Sequence, residues 1–382
     1  MAIPTNRPTH TVALSIFRPN VMPLYSWFCQ SRLCARPEGR PSADRHNRQP
    51  QTRFLSSTRS DGGSLARAAS ILPICDIEGF GVLTNREGLM RNASRIAAGL
   101  GFWVATGVSG AALAQCADKL EPDKDRYWVL NPVPDDQMRN FSTDRPTKSN
   151  VPCTVDAGHF QYETDIVNFT HQVTGSVHTD TLLVPNPTFK VGLTNNIDLE
   201  LNIAPVVGVH TFNSAPLVSS TTWGNGDLFV RSKVNLWGDD GGGTSAFALI
   251  PYIKAPTAPT GIGNGAVEGG VIAPLAFNLP NGITLLFNSE VDALKDSVND
   301  GRHANYINLV NLSRQIVKDV TLYVEFWSDY NNDPTQRTTQ YSIDTALAWT
   351  ARPNLQLDVG ANFGLNRETP AIQLYAGISQ RF

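Results

Sequence analysis

Arg231 and Lys233 stand two residues apart, and so do Glu290 and Asp292; Glu325 and Asp344 add two more carboxylates further along the chain. Residues two apart share one face of a β-strand, so each pair reads as a charged stripe on an extended segment. If those faces line a water-filled interior, base on one wall and acid on the other make a transverse field that orients dipolar solutes and slows apolar ones. In a dry interior the same groups must pair across the space and plug it. Other chemistry is weaker. His159, His210 and His303 fall on extended segments, but no serine occupies a matched position that would complete a nucleophile and base, so the chain does not read as an enzyme. Asp239-Asp240 followed by Gly241 to Gly243 shares only composition with a calcium loop and reads as a solvated hairpin turn. No metal or other cofactor is expected. Cys116 and Cys153 permit one intramolecular disulfide in an oxidising compartment, with two free thiols as the alternative.

The elements that must position these residues begin late in the chain. With 382 residues, 41% hydrophobic, 17% charged and a net charge of -3, the composition excludes a collagen, a disulfide scaffold and a basic nucleic-acid binder, so no nucleic-acid partner is expected. All eight lysines lie at or beyond Lys119, while residues 1–89 hold eleven arginines, three of the five cysteines and no sustained period. That stretch reads as an upstream translation artefact, disordered. At Met90 a signal peptide begins: Arg91 and Arg95, an apolar run from Ile96 to Val108, then Ala112-Leu113-Ala114 before Gln115. A membrane anchor over 96–114 is the alternative, since about 20 residues can span a bilayer. Beyond residue 114 the chain is acidic, with 18 basic against 28 acidic residues. Residues 115–155 read as a periplasmic N-terminal segment and 156–382 as the folded domain.

That domain has no helical stripe of useful length, but alternation recurs. Leu355, Leu357, Val359, Ala361, Phe363 and Leu365 interleave with Gln356, Asp358, Gly360, Asn362 and Gly364, giving one wholly apolar face. Similar segments occur near 157–170, 181–194, 197–212, 228–236, 244–256, 265–279, 283–293, 302–315, 320–326, 341–349 and 371–382. The spacing predicts about 12 strands. Compact links at 195–196, 239–243, 280–282, 317–319 and 351–354 alternate with longer ones at 171–180, 213–224, 257–264, 297–301, 331–336 and 367–370. An up-and-down meander of this kind is the layout of a membrane-spanning antiparallel β-barrel of the bacterial outer membrane, with both termini periplasmic.

A soluble sandwich also alternates. Three features favour the barrel. Mid-strand charges share their face with Gly270, Gly360, Gly364, Gly377, Ala346 and Ala348, as a narrow closed interior requires. Trp237, Tyr341, Trp349 and Phe363 lie towards strand ends, where aromatic girdles form. The chain ends in Phe382 on the apolar face of the last strand, a terminal residue type that would serve as the signal to the barrel-assembly machinery; Gln380, on the same face, departs from the usual apolar pattern.

Gly226-Asp227-Leu228 through Lys233, the turn Asn235-Leu236-Trp237-Gly238-Asp239-Asp240-Gly241-Gly242, Pro251 to Lys254, Val267 to Gly270 and Leu355 to Leu365 together resemble the outer-membrane transporter family named after MetA-type phenol-degradation pathways, over about 156–382. The resemblance implies a small barrel that moves aromatic or hydrophobic compounds across the outer membrane and brings no catalytic or binding residues with it. The expected function is therefore passive uptake of a small aromatic or hydrophobic solute by a porin-like channel embedded in outer-membrane lipid. A non-transporting structural or adhesive barrel is the alternative, which the short expected loops disfavour.

Overall fold

The computed structural model describes Cys116, residues 123–241 and residues 243–382, together with the backbone of Arg18–Pro19 paired antiparallel to Trp27–Phe28. The upstream-artefact and signal-peptide expectations for 1–114 concern stretches that lie otherwise outside the described residues.

Fifteen strand segments form one antiparallel sheet. They are β1 (Phe160–Thr174), β2 (Val177–Leu183), β3 (Asn186–Thr194), β4 (Ile197–Asn202), β5 (Val207–Ser214), β6 (Leu217–Gly224), β7 (Leu228–Trp237), β8 (Ser245–Ala255), β9 (Glu268–Leu279), β10 (Ile283–Lys295), β11 (Arg302–Val317), β12 (Val320–Asn331), β13 (Thr338–Arg352), β14 (Leu355–Gly364) and β15 (Ile372–Arg381). The pairs β2 and β3, β4 and β5, and β6 and β7 are single crossings, each interrupted by a few residues. Their register runs straight through the gaps: Asn202 faces Phe229 below one gap and Val207 faces Gly224 above it. With β15 paired to β1, the sheet closes into a 12-strand barrel. Closure leaves no free edge along the wall, as a lipid surround demands.

Turns of a few residues lie at the end that holds both Phe160 and Phe382, and the longer connections lie at the other. Two expected loops are corrected. Residues 171–180 and 213–224 are strand-extended hairpins, turning only at 175–176 and 215–216. Their sequence carries polar residues on both faces, so period-2 alternation of hydrophobicity is absent although the backbone is paired.

The parity read from the sequence sorts the two faces. Val291, Tyr306, Val310, Phe326, Leu347, Val359 and Leu374 point outward, and their neighbours Glu290, Asn305, Asn311, Glu325, Ala346, Asp358 and Tyr375 are buried inside. Tyr306, Tyr330, Tyr341, Phe363 and Trp223 mark the loop-side limit of the apolar band, and Phe160, Phe189, Trp237, Trp349 and Phe382 the turn side. The barrel is inside out relative to a soluble protein, with solvent for its apolar face supplied by lipid. Val359→Arg, near mid-membrane, should therefore cost about 2–4 kcal/mol, whereas Leu365→Arg, at the loop-side boundary, should cost about 0–1 kcal/mol. Urea titration of the two variants in lipid vesicles measures both; equal costs would remove the bilayer from this face.

Candidate functional site

All six charged residues singled out by spacing point into the barrel. Arg231, Lys233, Glu290, Asp292, Glu325 and Asp344 are each buried. They do not face each other across open water, because residues 139–156 occupy the space between them. This segment, expected in the periplasm, enters from the turn side, rises to mid-height and returns to start β1.

Its composition explains why it lies there. Arg139 to Val155 is a run of hydroxyl, amide and charged residues with no apolar face, and Pro146 and Pro152 remove backbone donors that a strand would need. A polar lumen can satisfy such a segment where an apolar core could not. Below it, the preceding residues dock on the rim: Val129 N–H donates to Leu193 O (2.9 Å) and Val133 N–H to Ala157 O (3.0 Å). At its base, Arg139 N–H donates to Asp156 Oδ2 (3.0 Å), and its guanidinium reaches Asn195 O and Asp240 Oδ1, both at 2.7 Å. The returning arm is tied by Val155 N–H to Asp198 Oδ2 (3.1 Å) and by Asn235 Nδ2 to Pro152 O (2.9 Å). Cys153 on that arm is joined to Cys116 by a disulfide, packed beside Ala246 of β8.

At the tip, ion pairs fix the plug to three parts of the wall. Lys190 of β3 and Lys233 of β7 both hold Asp144, at 2.5 and 2.9 Å. Arg145 spans Asp165 of β1 (2.5 Å) and Asp358 of β14 (2.6 Å), its guanidinium passing over Gly377 of β15, where any Cβ would collide with it. Lys148 and its neighbour close the far side: Glu325 accepts the Lys148 and Ser149 backbone N–H groups at 3.1 and 3.2 Å, and Lys148 Nζ lies 3.2 Å from Asp344 and 4.0 Å from the Trp327 ring centre.

Thus Lys233, Glu325 and Asp344 are brought together by the plug, whereas Arg231 pairs sideways with Glu200 of β4 at 3.2 Å. Glu290 and Asp292 stand above the tip, on its loop side, where Asp292 accepts from Tyr252 Oη (2.6 Å) and Asn305 Nδ2 (3.1 Å). Two bare, opposed walls are therefore replaced by pairs made through a third element. Asp144, Arg145, Lys148, Glu163, Asp165, Lys190, Glu200 and Asp358 escaped the sequence reading as site residues. Inward parity on β1, β3, β4 and β14 could have found the wall members, but nothing periodic marks the plug.

His159 is structural: its ring nitrogens lie 2.7 Å from Val133 O and 3.1 Å from Phe382 O. His210 contacts Thr221 and His303 contacts Asp296, so among the described residues none of the three touches a serine hydroxyl. Phe382 is exposed at the rim beside Phe160 and Tyr162.

Between the plug and strands β9 to β14 lies a cavity of about 440 Å³. Phe141, Val151, Ala276, Leu286 and Tyr323 supply its apolar surface, and Thr284, Asn311, Ser313, Thr321 and Gln356 its hydroxyl and amide groups. On the other side of the tip, between Arg145, Lys148 and the β1–β7 wall, lies a much smaller cavity of about 30 Å³.

Two carboxyls of the plug region respond to pH in opposite ways. Burial pushes Asp239, in the β7–β8 turn, up to about 6 against the pull of Arg139; it accepts the Thr154 N–H (3.1 Å) and hydroxyl at the plug base. Burial would raise Asp144 too, but Lys190 and Lys233 outweigh it and hold that carboxyl below the usual range. A raised carboxyl pKa gives stability that is complete below about pH 4 and is lost as pH rises through about 6; a depressed one gives stability that persists down to its own low pKa. From pH 7.5 to pH 5 the tip should stay fixed while the base tightens by about 1 kcal/mol. Hydrogen exchange of residues 151–156, corrected for intrinsic rates, should slow accordingly, and Asp239→Asn should flatten the difference. Faster corrected exchange at pH 5 would refute it.

Residues 143–382 match the family described as MetA-pathway of phenol degradation. No curated protein matches the chain. Among solved structures, it is similar to an outer membrane channel from Pseudomonas putida F1, at 12% identity and TM-score 0.47 over 59% of this chain and 95% of that one. It is also similar to the NanC porin, at 12% identity and TM-score 0.38 over 57% and 98%. A mutant of the monoaromatic hydrocarbon channel TodX gives 8% identity and TM-score 0.31 over 58% and 88%.

Proposed function

The chain belongs to the MetA-pathway of phenol degradation family, and on that premise we propose that this outer-membrane barrel is a passive channel for a small aromatic or hydrophobic solute carrying one or two polar groups. The observation that carries the reading is the cavity of about 440 Å³ beside the plug. Its mixed lining suits a molecule with an apolar ring and a hydroxyl or carboxyl; engineered cavities of about 150 Å³ already accommodate benzene, so the space is ample for one ring. The plug narrows the passage on the turn side and obliges a solute to slide along the β9–β14 wall, where side-chain hydroxyls and amides replace its water.

The firm closure at Arg145 and Lys148 favours one competing reading, a barrel that transports nothing and serves as a structural or adhesive element. Planar-bilayer recording with flux into vesicles separates the two. A channel gives discrete conductance steps and admits phenol or benzoate faster than a sugar of similar size. A barrel that gives no steps and admits neither is not a channel.

A further inference from the structure

We propose that the β10–β14 side of the barrel, at the loop-side edge of the membrane, is a docking surface for the phosphate groups of an outer-leaflet glycolipid, held by Lys295, Arg302, Arg337 and Arg367. The surface lies outside the lumen and is independent of the solute reading.

The basic residues of the wall are unequally distributed. Strands β1 to β9 and their connections carry Lys190, Arg231, Lys233 and Lys254, and all four are buried inside. From residue 283 onward the chain adds Lys295, Arg302, Arg314, Lys318, Arg337, Arg352, Arg367 and Arg381, of which only Arg381 is buried. Arg314, Lys318 and Arg352 lie at the turn side. The other four stand at the loop side, so the exposed bases there occupy one half of the circumference.

Their depth is uniform. Arg302, Arg337 and Arg367 lie four residues loopward of Tyr306, Tyr341 and Phe363 in the aromatic tier, and Lys295 lies four loopward of Val291, which is paired with Tyr306. An even step keeps the outward parity, and Lys295 stands directly opposite Arg302. At about 3.3 Å per residue and a tilt of about 40°, four residues rise about 10 Å, from the rings at the hydrocarbon edge into the headgroup layer.

The connections that carry the four bases are tied together. Ser297 N–H donates to Asp333 Oδ2 (2.9 Å) and Ser297 Oγ lies 2.7 Å from Thr335 Oγ1, which joins the hairpin between Lys295 and Arg302 to the connection that carries Arg337. Leu365 N–H donates to Tyr341 O (2.8 Å) and Asn366 Nδ2 to Thr339 O (2.6 Å), which keeps Arg367 beside β13. Arg302, Arg337 and Arg367 are exposed and form no ion pair among the described residues, while Lys295 reaches the exposed Asp300 at 3.1 Å. Of the other acids in these connections, Asp296 and Asp333 are buried and only Glu368 is exposed. Guanidinium groups fork to phosphate oxygens, so a phosphate ester is the anion this surface fits. Below it the outward residues Val291, Tyr306, Tyr330, Ile343 and Phe363 offer an apolar wall to acyl chains. A phosphorylated amphiphile matches both tiers; free phosphate matches one.

The test is native mass spectrometry of the purified barrel in detergent, mixed with lipid A carrying two phosphates, with the same lipid A stripped of phosphate, or with inorganic phosphate. The expected result is retention of the phosphorylated lipid A alone. The triple variant Arg302→Gln, Arg337→Gln, Arg367→Gln should weaken retention roughly a hundredfold, while Arg314→Gln, Lys318→Gln, Arg352→Gln at the turn side leaves it unchanged. If the loop-side triple variant does not assemble, Arg337→Gln with Arg367→Gln, both outside the strands, reads the same surface. Equal retention of the two lipids, displacement by inorganic phosphate, or equal loss in the loop-side and turn-side variants overturns the proposal.

Discussion

Replacing Arg145 with alanine is expected to release the plug and raise single-channel conductance. Arg145 bonds β1 and β14 at once, through Asp165 and Asp358, both of which are fully buried. Removing it strands two carboxylates, and breaking a buried pair costs about 3–5 kcal/mol. The cost falls on the plugged state, because an emptied lumen hydrates both acids. At 1.4 kcal/mol per tenfold change, the undocked fraction should grow by roughly a hundredfold or more. Trypsin cleavage after Lys148, which is buried in the docked plug, should accelerate in parallel. Arg145→Lys should fall between, since a single ammonium nitrogen lacks the planar fork that pairs two ways with Asp358 while reaching Asp165. Unchanged conductance with Lys148 still protected would mean that the plug is held by its base alone.

Neutralising Arg231 and Lys233 together with glutamine should instead weaken the barrel itself. Glu200 touches Arg231 at 3.2 Å, Lys233 at 3.6 Å and Lys190 at 3.7 Å, and Asp144 shares Lys190 and Lys233. After the change, Lys190 alone must serve Asp144, Glu163 and Glu200. Loss of about 3–5 kcal/mol is expected, seen as a lower temperature for the change from compact to extended gel mobility. Any conducting barrels that remain should favour cations, as the acid residues then dominate the lumen. A double variant as heat-resistant as the native barrel would show these bases to be well hydrated and the plug interface soft.

These two variants mark what could be read in the sequence and what could not. Strand positions and facing followed from period-2 alternation, because one face meets lipid and tolerates only apolar groups; Leu355 to Leu365 is the clearest instance. The inward direction of Arg231, Glu290, Glu325 and Asp344 followed from the same parity. Their partners did not. Asp144, Arg145 and Lys148 come from a stretch with no period, and a segment that satisfies its polar groups through long-range contacts leaves no local pattern. The end of β1, the start of β2, the end of β5 and the whole of β6 were missed for a related reason: above the membrane both faces are wet, so pairing persists without alternation in hydrophobicity. The bases at the loop-side ends of β10 to β14 were scattered in the sequence and became a patch only through register.

The path of Arg145 also bears on how the barrel is held shut. Its guanidinium joins β1 to β14 across β15, and β15 with β1 is the junction between the first and last strands. Among the described strand pairs that junction joins the strands most remote in sequence, so its closure carries the largest loop-closure entropy. A cross-brace placed over it, with Gly377 left bare to admit it, makes occupancy of the lumen and integrity of the hoop one coupled quantity. A force or partner that drew the plug towards the periplasm would loosen the hoop as well as clear the pore, and a barrel closed around an empty lumen would be the easier one to unzip.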